Sequence, residues 1–398
     1  MGWRLPVGIS VMWVALAFVG DGLASLVLPA LLASNADTAT AIGLISFVGL
    51  GLAVAAQPIA GSLSDRWRDG LDRRWFIALL VVPTILGLVA LAAARSVPAV
   101  AVAFIVVVVA ASGVQAGQQT LIPEAVPSGQ RGRAASLKTA FDIGGAFVAF
   151  VVLGAVLEAG GVAAAAAVTA IVVVGALAVM TVTVAPCVPA TRAPKVPRPD
   201  ASRPRAIPIG FWELVASRFL FLFGIYAVGR FLLLLVADRV AVPADTAVAE
   251  TGGLLALFTL TTAGAALALG PAVDRIGRRR LAVVGAATGA AGVGLFVAPA
   301  GLAGVIVAGT LMSIGTAAFS TANWAALTDL APPADAGRLM GLANVGTGGA
   351  AAAAGLVGPV IDAWGFAPAL LVATVATVLS LVPIARSHPL RHMQGAIT

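Results

Sequence analysis

The feature that most constrains this chain is a succession of apolar stretches, each about the length of a membrane-crossing helix, separated by charges or by proline and glycine turns. They fall at about 7 to 33, 40 to 63, 75 to 94, 99 to 122, 134 to 157, 161 to 184, 210 to 237, 250 to 272, 281 to 298, 300 to 326, 337 to 360 and 365 to 385. A bilayer core of ~30 Å takes ~20 apolar residues of helix, so twelve spans with short loops use nearly all of the 398 residues. With 60% of residues hydrophobic and 10% charged, no water-soluble core could hide so much apolar surface. Runs such as "AVAFIVVVVAASG" show no alternation of polarity, which sets aside an outer-membrane barrel. The expected fold class is an all-α membrane protein of twelve transmembrane helices. The first stretch ends in "ALLAS", loosely like a signal cleavage site, but it is long and carries Asp21, and reads as a retained helix.

The charges fix the expected topology. With the amino terminus in the cytoplasm, inner segments hold 20 of the 24 Lys and Arg residues, outer loops hold Arg95 and Arg239, and the spans hold Arg218 and Arg230. The positive-inside rule then places both termini in the cytoplasm. The net charge of +7 is thereby explained by topology, and no aromatic residues interleave the basic ones, so a nucleic-acid partner is not expected. The proline-rich, basic segment "PCVPATRAPKVPRPDASRPRAIP" reads as a solvated linker. The expected organisation is a six-helix bundle at 1–185, the linker at 186–209, a second bundle at 210–386 and a cytoplasmic tail at 387–398. Cys187, the single cysteine, permits neither an internal disulfide nor a thiolate metal cluster.

An internal repeat supports two halves. After the second stretch comes "GSLSDRWRDGLDRR", with Gly61, Asp65, Arg66, Arg73 and Arg74; after the eighth comes "GPAVDRIGRRR", with Gly270, Asp274, Arg275, Arg278, Arg279 and Arg280. The two Gly-x-x-x-Asp-Arg motifs are offset by 209 residues. After the fourth stretch Glu124, Pro127, Gly132 and Arg133 match Asp329, Pro332, Gly337 and Arg338 after the tenth, each at an offset of 205. Two motifs at equivalent helices, agreeing on nearly one offset, mark parallel six-helix repeats.

The Gly-x-x-x-Asp-Arg loops resemble the signature of the major facilitator superfamily between its second and third helices, here in both halves of the chain. That family is built on parallel repeats with the substrate near midplane. The longer first copy, "DRWRDGLDRR", resembles the loop of the glycoside-pentoside-hexuronide and sucrose-transporter branch, with Asp72 where that branch usually has Gly. The resemblance implies a sugar or glycoside substrate and a cytoplasmic gate made of Gly61, Asp65, Arg66, Arg73, Arg74, Glu124, Arg133, Gly270, Asp274, Arg275, Arg278, Arg279, Asp329 and Arg338. In the family fold Asp65 faces the start of helix eleven near residue 336, and Asp274 does the same for helix five. A carboxylate at a helix amino terminus is stabilised by ~0.3 to 2 kcal/mol. Such latches would hold the inner side closed; the plainer alternative is a solvated turn that anchors topology.

Ionisable side chains inside a span are costly and point to function. Four are expected there: Asp21 near midplane of the first helix, Asp142 in the fifth, and Arg218 and Arg230 in the seventh. Asp21 and Asp142 are the expected proton-coupling sites, since a carboxyl in low dielectric can exchange its proton as a cavity opens and closes; a permanent ion pair with an arginine is the rival. Arg218 is expected to snorkel to the inner interface. The resemblance further implies a cavity lined by helices one, four, seven and ten. That makes Gln115, Gln119, Tyr226, Arg230 and Asn323 the substrate candidates, with interhelical packing as the alternative for the glutamines.

The two histidines, His388 and His392, sit in the tail, and no Walker loop or nucleophile-base pair is present, which argues against an enzyme or an ATP-driven pump. No cofactor or metal is called for. The expected protein is a monomeric, multi-pass transporter of the cell (inner) membrane, carrying a small-molecule solute by alternating access with protons, its lipid bilayer the remaining partner. The rival functions are proton-driven efflux of drugs or hydrophobic metabolites and a non-transporting sensor on the same fold.

Overall fold

The computed structural model describes residues 4–33, 38–67, 73–126, 131–184, 207–240, 246–299, 301–330 and 336–386. The linker, Cys187, His388 and His392 lie outside the described residues. All regular structure among the described residues is helical. In chain order the helices are α1 (Arg4–Leu32), α2 (Thr38–Trp67), α3 (Arg73–Ala93), α4 (Val97–Ala125), α5 (Arg131–Val184), α6 (Phe211–Arg239), α7 (Ala247–Ile276), α8 (Arg278–Leu295) and α9 (Gly301–Leu330). They are followed by α10 (Ala336–Ala353, continuing through a tighter turn at Ala354–Val357 into Gly358–Trp364) and α11 (Phe366–Arg386). Ten helical stretches among the described residues are long and apolar enough to cross a membrane. Every expected apolar window falls on a helix, but the fifth and sixth share α5, and the ninth is α8, which is not among those ten.

α5 is 54 residues of helix broken at Gly161, whose φ of 67° and ψ of −167° belong to a region only glycine occupies freely. Packing against α1 shows what the break does. A Cβ on Gly145 would meet Val14, and one on Gly22 would meet Ala149 and Leu153, so the first arm of α5 runs alongside α1 in the same sense. A Cβ on Gly8, near the start of α1, would instead meet Thr183, near the end of α5. The second arm therefore returns, and a single residue makes the reversal. Gly365, with φ 82° and ψ −179°, joins α10 to α11 in nearly the same backbone conformation.

The chain divides into two compact units, Met1–Ala193 with Val242–Ala256, and Pro194–Ala241 with Leu257–Thr398. In the first unit α1 packs on α5, α2 and α3 pack on α4, and α3 packs on α5. In the second, α6 packs on α9, α10 and α11, and α8 packs on α9 and α11. Particular contacts recur at the sequence offset. The Gln118 side-chain NH2 on α4 donates to the Ile9 carbonyl on α1, and the Asn323 NH2 on α9 donates to the Leu214 carbonyl on α6 (3.1 Å); both ends are 205 residues apart. Gly87 lies against Val107 and Gly292 against Met312, again 205 apart at both ends.

The α8–α9 seam is close because glycine lies on both sides. A Cβ on Gly289 would run into the Phe221 ring and one on Gly315 into the Gly289 backbone. Without a hydrophobic driving force between helices in lipid, such backbone approach supplies the packing. Beside it Phe221 and Phe319 stack at 4.0 Å and 17° in the core of the second unit. The outer faces stay apolar, with Ile171, Val182 and Leu267 at 70%, 73% and 81% exposure. A surface of that kind requires lipid as its solvent. The chain is a multi-pass membrane protein.

Candidate functional site

Asp21 sits where α1 changes its winding. Phe18–Val27 forms wide π turns, a rare geometry that recurs at functional sites. Around it Phe18, Val19, Gly22, Leu23 and Ala24 are buried, whereas Gly20 and Asp21 are exposed. The irregular turn thus presents the carboxylate on the open side of a helix that is otherwise anchored by its neighbours.

Asp142 is differently placed. Its Oδ2 lies 3.2 Å from Lys138 Nζ, one turn earlier on α5, and that ammonium lies 3.7 Å from the centroid of the Trp13 ring on α1. The pair is neither fully buried nor open, with side chains 28% and 38% exposed. The partner expected for a paired Asp142 was an arginine; the structure supplies a lysine. Lys138 lies near the start of the apolar stretch that begins at Ser136. The i,i+4 spacing to Asp142 was the signal in the sequence.

The amides of α4 divide. Gln115 Oε1 accepts from Gln57 Nε2 of α2 at 2.8 Å, so this candidate is tied to a helix neighbour. Gln119 is exposed. Gln118, not singled out in the sequence, is buried and holds the Ile9 carbonyl. Asn323 is 2% exposed with its NH2 on the Leu214 carbonyl, which makes it part of the scaffold of the second unit.

On α6, Arg230 is buried at 5% exposure and Tyr226 packs against the core of the second unit. Arg218, expected to snorkel, is tied to neighbouring helices. Its Nε donates to Thr347 Oγ1 of α10 at 2.7 Å, its guanidinium carbon lies 5.0 Å from the Trp324 ring centroid of α9, and its buried Nη1 has no acceptor among the described residues. Thr347 and Trp324 are remote in sequence, so nothing local pointed to them.

At the loop motifs, Arg73 Nη1 donates to Ser64 Oγ at 2.6 Å, Arg278 pairs with Asp329 at the end of α9, and Arg279 Nη2 donates to the Ala385 carbonyl at 3.3 Å. These contacts tie each basic loop to its own unit. Arg74 is half-buried, Arg275 is exposed and Gly61 lies within α2. Asp65, Arg66, Glu124, Arg133, Gly270, Asp274 and Arg338 have helical backbone, but their side chains lie outside the described residues. Among the described residues no group of His, Cys, Asp and Glu is arranged to hold a metal ion.

The Major Facilitator Superfamily model matches residues 12–242 and again 219–393. No curated protein matches the chain in sequence. In structure it resembles a bacterial homologue of the human lysosomal transporter Spinster in an inward-facing, occupied conformation (TM-score 0.73, 15% identity, 97% of this chain and 96% of that one). It also resembles the nucleoside transporter NupG (0.74, 13%, 98% and 100%) and a peptide transporter of the POT type (0.78, 14%, 97% and 94%). At such identities the likeness establishes the fold.

Proposed function

The chain belongs to the Major Facilitator Superfamily, and from that premise we propose that it is a secondary active transporter which moves a small organic solute by alternating access in exchange for, or together with, protons. Its twelve helical arms would span the membrane with both termini cytoplasmic, as the distribution of Lys and Arg supports. The observation that carries the coupling is Asp21, an exposed carboxylate in the wide turn of α1. Asp142, 3.2 Å from Lys138, is the second candidate proton site. The likeness of "DRWRDGLDRR" to sugar-transporting relatives favours a sugar or glycoside.

The test begins with the unfolding temperature of the purified protein against sugars, glycosides and lipophilic cations, since a ligand selective for the folded state raises it. The stabilising compound is then used for uptake into proteoliposomes under an imposed proton gradient. Asp21→Asn should abolish accumulation while leaving downhill exchange. Accumulation unchanged in Asp21→Asn removes that residue from the mechanism, and stabilisation by lipophilic cations alone replaces sugar uptake with drug efflux.

A further inference from the structure

The two units differ at one cluster that the repeat makes comparable. In the first unit the cation is Lys138, its ammonium lies on Trp13, and Asp142 balances its charge. At the offset of 205, Asp142 corresponds to Thr347 and Trp13 to Arg218. The second unit therefore also holds a cation beside a tryptophan, but its carboxylate has become a hydroxyl.

That hydroxyl both donates and accepts. Thr347 Oγ1 donates to the Ala343 carbonyl at 3.3 Å, so its lone pairs are left to accept from Arg218 Nε. Thr347 and Trp324 fix the guanidinium in place without adding charge. Among the described residues Arg218 has no carboxylate within ion-pair distance, and its buried Nη1 has no hydrogen-bond acceptor. An arginine held between helices cannot shed its charge, and an uncompensated charge there costs several kcal/mol. A site that keeps a guanidinium oriented, with its Nη1 unused, can offer an anion a charge-assisted hydrogen bond.

We infer that Arg218, steadied by Thr347 and Trp324, is an anion-binding site for the carboxylate or phosphate group of the transported solute. The solute is then an organic acid or an acidic sugar. The assignment rests on the transport reading above, but the site itself is tested without transport.

The full-length protein is placed in nanodiscs of phosphatidylcholine alone, and its unfolding temperature is followed with benzoate, phenyl phosphate and the neutral analogue benzamide at matched ionic strength. Either anionic probe should raise the wild-type Tm by several degrees at saturation and benzamide should not. The rise should vanish in Arg218→Gln and in Thr347→Asp, and Thr347→Asp, which restores the carboxylate of the first unit, should unfold above the wild type without any probe. Where Arg218→Gln does not fold, Thr347→Asp carries the comparison alone. The assignment is overturned by a wild type that ignores both anions, or by either variant responding as the wild type does. It is also overturned if an admixture of phosphatidylglycerol by itself produces the shift and erases the response to probe, which would make the occupant a lipid headgroup. An Arg218-dependent response in a protein that moves no solute across reconstituted vesicles would leave the site standing and sink the transport reading.

Discussion

The two units keep the same joints and carry different charges. The amide-to-carbonyl contacts Gln118–Ile9 and Asn323–Leu214 coincide under the offset, as do Gly87 on Val107 and Gly292 on Met312. Asp21, by contrast, corresponds to Tyr226, Trp13 to Arg218, Gln119 to Trp324 and Asp142 to Thr347. Backbone seams tolerate few alternatives, because an amide in lipid must be satisfied and a glycine crossing has no room for more. Charged positions are freer to diverge. The difference leaves the carboxylates in the first unit and, among the described residues, a cation without a carboxylate partner in the second.

The largest expected effects come from the single-glycine turns. Gly161→Ala and Gly365→Ala should each cost about 1–3 kcal/mol, since both residues hold a backbone conformation that a Cβ opposes. Equal losses in Tm would confirm that the reversals are one device used twice, and a loss confined to one would break the equivalence. Next come the paired seams. A Cβ on Gly292 would lie 2.6 Å from the Met312 Cα, whereas one on Gly87 would meet chiefly a Val107 side chain that can shift. Gly292→Ala should therefore be the more damaging of the two, by about 1 kcal/mol. Chemical unfolding of the two variants side by side decides it, and the reverse order would mean that the second seam is looser than its geometry.

Gln118→Leu and Asn323→Leu should each cost about 0.6 to 1.7 kcal/mol, the range for polar contacts between spanning helices, and by similar amounts. A double-mutant combination should be additive if each contact serves its own unit. The smallest effect belongs to Lys138→Gln, about 0.5 kcal/mol or less, because both partners of the ion pair are partly exposed. A loss several times greater would show that Asp142 depends on its lysine far more than the exposure of the pair implies.

Much of this architecture was legible in the sequence because lipid imposes it. Apolar length fixed where helices lie, and the spacing from Glu124 to Asp329 gave the offset that the Gln118 and Asn323 contacts then repeat. Asp21 was legible as a charge inside a span, but the wide turn that exposes it was not, since π winding depends on how neighbours hold the helix. The tie of Lys138 to Asp142 was legible as i,i+4 spacing, whereas its contact with Trp13 on another helix was not. The setting of Arg218 was hidden for a different reason. Its hydrogen-bond partner Thr347 lies 129 residues away, and no local pattern records a contact of that range.

The turns at Gly161 and Gly365 reach beyond stability. Because one residue joins each of these pairs of helical arms, no polar loop separates them. The same brevity denies a foothold to proteases, glycans or inserted tags at those ends. A single connecting residue also holds the two arms in register at that end.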